Sequence, residues 1–117
     1  MDDRLKNALD FSNYRLVLEN QKNNLKLTSE QNLHIIHSGQ KIIIDKILIS
    51  FLNTLKQEKQ EEVTILDAHD NPVKVDNVSD LLTSCIEKYN SAMNTWNNKF
   101  SKIKKARNME KLLDVSE

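Results

Sequence analysis

Apolar positions recur along this chain with two periods. Up to about residue 26, Leu5, Leu9, Phe11, Tyr14, Leu18 and Leu25 are spaced mostly by three, four and seven, which predicts an amphipathic helix over residues 1–26. Asp2 and Asp3 fall in its first turn, where carboxylates oppose the positive end of the helix dipole. The period then shortens. Two apolar, β-prone runs follow, over 32–44 and 63–75, each centred on a turn signal. The first carries Gly39, the second the stretch from Asp67 to Pro72. Both are predicted β-hairpins.

Between the hairpins, Ile47, Leu48, Phe51, Leu52 and Leu55 predict a helix over 45–59 that buries all five, with Asp45 as its cap. After the second hairpin, Asn77 or Ser79 can cap a last helix, 78–113, that contains no glycine or proline. Leu82, Cys85, Tyr89, Ala92, Trp96, Lys99, Ile103 and Ala106 alternate along it at four and three residues, a heptad-like seam. A helix of that span is about 54 Å long at 1.5 Å per residue, more than one small domain needs. The expected fold is therefore α+β, in the order α-ββ-α-ββ-α, within a single domain over 1–117. The hairpins stand separately or join in one antiparallel sheet, within a chain or across a dimer. The terminal helices pair along their apolar stripes. The excess length of the last helix predicts a homo-oligomer, most simply a two-fold dimer.

The 117 residues hold 17 basic and 17 acidic groups, with no net charge, which argues against a surface built as a whole for nucleic acid or an anionic membrane. The distribution is uneven. From Glu58 to Asp80 there are seven acidic residues and two lysines, and from Lys99 to Lys111 six basic residues and one acidic. Cys85 is the only cysteine, so no intrachain disulfide forms, and its apolar register makes it a small buried hydrophobe. With no signal-peptide pattern and no apolar run long enough to span a bilayer, the chain is read as soluble and intracellular.

Candidate chemistry is sparse. His34 and His37, three apart on a strand, point to opposite faces and cannot share a metal. The run from Asp67 to Asn71 looks superficially like a calcium loop, but that loop wants glycine sixth and glutamate twelfth, where this chain has Pro72 and Val78. A single glycine rules out a phosphate-cradling loop. No metal, cofactor, small-molecule substrate or catalytic residue is assigned, and the chain is read as non-enzymatic. Two surfaces on the last helix stand out. Tyr89, Trp96, Phe100 and Ile103 form a candidate interface, since aromatics concentrate in binding hot spots. Lys99, Lys102, Lys104, Lys105 and Arg107 form a basic patch for an acidic protein or for nucleic acid.

Three stretches act together as a signature: Ala8-Leu9-Asp10-Phe11-Ser12-Asn13-Tyr14; Asp70-Asn71-Pro72-Val73 leading into Val75-Asp76-Asn77; and Lys104-Lys105-Ala106-Arg107-Asn108 followed by Glu110-Lys111-Leu112. In this order the chain resembles small proteins encoded by T-even-type tailed phages of marine bacteria, including cyanophages, over residues 8–113. The resemblance implies a viral origin, in keeping with 14 asparagines and 14 lysines, a bias of AT-rich genomes. Many of those relatives have two glycines where this chain has Ser38-Gly39. The resemblance brings no catalytic residues and suits a role in head assembly or as a structural accessory.

The leading expectation is a phage protein acting by contact with itself and with another phage or host protein, as a virion, scaffold or assembly factor. Its place is the host cytoplasm during infection, or the virion. The alternatives are a nucleic-acid-binding or transcription-modulating factor using the basic helix, and an inhibitor of a host protein.

Overall fold

The computed structural model describes residues 3–106. The elements are α1 (Asp3–Gln31), β1 (His34–His37), β2 (Gln40–Ile43), α2 (Lys46–Gln57), β3 (Val63–Leu66), β4 (Pro72–Val75) and α3 (Val78–Lys105). This is the α-ββ-α-ββ-α order, an α+β fold. The strands form two separate two-stranded antiparallel sheets rather than one. Residues 107–113, the end of the predicted last helix, lie outside the described residues.

Contacts gather into two compact units, 1–30 with 94–117 (unit 1) and 31–93 (unit 2). Unit 2 holds both hairpins, α2 and the first half of α3. The β1–β2 turn is Ser38-Gly39, with φ of 52° and 77°. Two successive left-handed residues make a type I′ turn, whose twist matches that of the strands it joins. The register His34↔Ile43, Ile35↔Ile42 follows from it. Asp45 caps α2 by accepting the Leu48 N–H at 2.7 Å. At the other end Gln60 N–H reaches the Leu55 carbonyl and Lys59 N–H that of Lys56, a Schellman closure with Lys59 in the left-handed position. Asn77, not Ser79, caps α3: its Oδ1 accepts the Asp80 N–H, while its amide donates to the Asp80 carboxylate. The core of the unit combines Ile42, Ile44, Leu52, Val73, Val75, Val78 and Cys85, all nearly free of solvent.

The middle helix departs from expectation. Leu52 is buried and Leu48 and Leu55 are half-buried, but Ile47 and Phe51 are exposed. The five apolar residues make a stripe wider than the face that meets the core. Leu48, Leu52 and Leu55 centre on that face, and Ile47 and Phe51, one turn apart, are left along its edge.

Unit 1 is a helical contact between α1 and the end of α3. Leu25, Ile103 and Ala106 are buried, with Tyr14, Val17, Leu18 and Trp96 packed around them. Tyr14 donates its hydroxyl proton to the Ala106 carbonyl at 2.8 Å. α1 runs to Gln31 and absorbs the predicted linker 27–31, because no glycine or proline stops it and Ser29 continues the buried face of Leu25. Of the predicted stripe, Leu5, Leu9 and Phe11 stay exposed.

Candidate functional site

The largest departure from ordinary burial is a groove on unit 2, of about 340 Å³, between the end of β2, the start of α2 and the β3–β4 turn. Ile47 is 80% exposed, Leu66 60%, Ile43 47% and Phe51 45%, and all four line this one groove with Leu48 and Ile65 beneath them. Each has a local cause. Strand alternation that buries Ile42 and Ile44 turns Ile43 outward, and burial of Ile65 does the same to Leu66. Asp45, between Ile44 and the helix, sets the register that leaves Ile47 and Phe51 on the rim.

Asp45, Asp67 and Asp70 complete the lining. Asp67 is the keystone of the turn. Its Oδ1 accepts the N–H groups of His69 and Asn71 at 2.8 and 2.9 Å, and its Oδ2 accepts the Gln40 amide at 2.9 Å. The Asn71 N–H first, then Gln40, hold the carboxyl below its ordinary range; partial desolvation works against them, and the His69 N–H and the His69 charge add to the lowering. Ala68 N–H donates to the Lys41 carbonyl at 2.8 Å. Turn and hairpin are thus locked together, and Leu66 and Asp70 are placed on either side of the keystone. Asp70 is exposed with φ of 61°.

A second groove, of about 500 Å³, lies between β1 and the start of α3 and contains His37, Asp76, Asp80 and Ser84. The Asp80 carboxylate there already accepts from Asn77, and Asp76 lies 3.9 Å from Lys74. Among the described residues no group of three or more His, Cys, Asp or Glu side chains is placed to hold a metal ion. The two histidines of β1 have different surroundings: His37 lines the second groove, and Nδ1–H of His34 donates to the Gln31 carbonyl at 2.7 Å, at the end of α1.

The residues singled out on the last helix are divided by the fold. Tyr89 packs against the unit 2 core. Ile103 is buried and Trp96 half-buried in unit 1, so both serve packing within the chain. Phe100 remains exposed, with the Lys22 ammonium 5.9 Å from its ring centroid, within cation–π reach. Lys99, Lys102, Lys104 and Lys105 are exposed and make no ion pair with a described residue; Arg107 lies outside the described residues. Cys85 is fully buried, and burial pushes its thiol up from 9.0 to about 11.

The groove escaped sequence reasoning because Ile47 and Phe51 fit a helical apolar stripe, and nothing in the periodicity tells the centre of a stripe from its edge. One signal was available: Ile43 and Leu66 each follow a residue that strand alternation sends inward. No protein-family model, curated protein or solved structure matches the chain.

Proposed function

We propose that this protein works by protein–protein contact, as a phage virion, scaffold or assembly factor, and that the apolar groove of unit 2 is its contact surface. The observation that carries the reading is the set Ile43, Ile47, Phe51 and Leu66, open to solvent on one groove beside a well-buried core. Contiguous exposed apolar surface of this kind marks binding sites, whereas scattered exposed side chains do not. The resemblance to phage proteins supports the viral setting, in the host cytoplasm or the virion. Action without catalysis suits a site in which Asp67 is taken up by the His69 and Asn71 N–H groups and the Gln40 amide, and Asp45 by the Leu48 N–H.

The test uses the whole chain as bait in a lysate of phage-infected bacteria, beside an Ile47→Asp/Phe51→Asp variant, with light scattering on both. A protein retained by the native chain and lost by the variant, or a native oligomer that the variant lacks, supports the reading. Neither one in soluble, folded samples overturns it.

The exposed lysines at 99, 102, 104 and 105, which make no ion pair with a described residue, favour a second reading, nucleic-acid binding through the end of α3. It requires retardation of DNA or RNA at low salt that fades steeply as salt rises; no retardation at low salt ends it.

A further inference from the structure

Charge is divided between the two units. Unit 2 carries six basic and nine acidic side chains, and unit 1 eleven basic and eight acidic, so formal charges of −3 and +3 cancel in the total. The apolar groove belongs to the acidic unit and has Asp45 and Asp70 on its rim. The exposed aromatic of α3 belongs to the basic one. Phe100 stands beside Lys99, one turn before Lys104, with Lys22 of α1 over its ring.

The two features are both apolar at the centre and opposite in charge around it, and neither suits itself. Two grooves face to face would set the carboxylates of Asp45 and Asp70 against their own copies. Two Phe100 surfaces would do the same with lysines, and like charges brought together across a contact are strongly disfavoured. An aromatic ring with the Lys22 ammonium over it and exposed lysines beside it in the helix, placed in an apolar slot edged by carboxylates, satisfies both.

We propose that the groove of unit 2 receives the Phe100 surface of a second copy of this chain. The proposal rests on the reading of the groove as a contact surface and names its occupant. Phe100 supplies the apolar anchor against Ile47, Phe51 and Leu66, and Lys22, Lys99 and Lys104 face the acidic rim. Because groove and anchor are different surfaces, two copies either exchange both across a two-fold axis and close as a dimer, or share one pair and continue head-to-tail into a ring or an open chain.

Mixing tests this directly. Ile47→Glu spoils the groove and Phe100→Glu spoils the anchor; Ile47 is 80% and Phe100 37% exposed, and circular dichroism of each variant should show the native helix content. Sedimentation velocity of the native protein should show dimers or larger species that grow with concentration and weaken at least about tenfold between low salt and about 500 mM. Each variant alone should be a monomer. An equimolar mixture of the two should form a one-to-one heterodimer and nothing larger, because it unites the one intact groove with the one intact anchor. Dimers of the Phe100→Glu variant alone would mean that grooves pair with grooves, and dimers of Ile47→Glu alone that anchors pair with anchors; either overturns the proposal. So does a native chain that stays monomeric at high concentration. If that monomer still holds a lysate protein that Ile47→Asp/Phe51→Asp loses, the groove keeps its role and only this occupant is wrong.

Discussion

Gln40 donates from Nε2 to Oδ2 of Asp67 across 2.9 Å, and this contact joins the first hairpin to the turn of the second. The two sheets share no strand pairing. The bond and the neighbouring Ala68-to-Lys41 hydrogen bond fix the β3–β4 turn on β2, and so fix one wall of the groove.

Asp67 makes this junction sensitive to acid. Its carboxyl lies below its ordinary 3.8 in the folded chain, so the native state favours the carboxylate more than the unfolded chain does. The stabilisation is complete above pH 3.8 and is lost as pH falls through the lower, folded value. Asp67→Asn should lower the melting temperature at neutral pH, and its difference from the native chain should shrink steadily below pH 3.8, as followed by circular dichroism. A gap that stays constant into strong acid would contradict this role.

Ser38 and Lys59 hold left-handed backbone, φ 52° and 59°, without being glycine. Ser38→Gly and Lys59→Gly should each raise stability, by about 1 kcal/mol in urea titrations, since a side chain in this region stores strain of that order. Loss of stability in both variants would count against the turn assignments.

Leu52 and Ile47 differ in burial though both belong to the apolar stripe of α2. Leu52→Ala should cost about 2–5 kcal/mol through transfer and cavity terms. Ile47→Ala, at an exposed position, should stay within about 0.5 kcal/mol of the native chain. Equal costs would place Ile47 in the core.

The Cys85 thiol, pushed to about 11 by burial, should react with a thiol reagent at pH 8 only as fast as the chain opens, and at once in denaturant. The unfolded thiol ionises near 9.0, so its linkage favours the fold fully below that pH and is lost between 9.0 and about 11. Rapid labelling of the native protein at pH 8 would show Cys85 accessible.

Element order and turns were legible because each rests on local chemistry. Gly39 provides the left-handed residue of a two-residue turn, Asp45 and Asn77 cap helices, and the absence of glycine and proline lets α3 run unbroken. What escaped was decided by distant neighbours. Whether Phe51 is core or rim depends on where the hairpins press against α2. Leu5, Leu9 and Phe11 fit the apolar spacing of α1 yet stay exposed, whereas Tyr14, Val17, Leu18 and Leu25 pack with α3. Ile103 read as a contact residue by spacing, but Leu25 of α1 takes it into the core. The basic helix end was visible as composition; the acid-rimmed groove had to be assembled from three elements.

Tyr14 and Ala106 also bear on the order in which the protein is made. Unit 2 is one uninterrupted stretch of sequence, whereas unit 1 draws on both sides of it. On the ribosome α1 emerges first but has nothing to bury Leu25 against until Ile103 and Ala106 have been synthesised. Every residue of the unit 2 core precedes Ile103 in the chain, so the described partners that bury Leu25 are synthesised after that core. A chain stopped before residue 103 would keep the residues of the unit 2 core and leave α1 unpaired, where proteases act first.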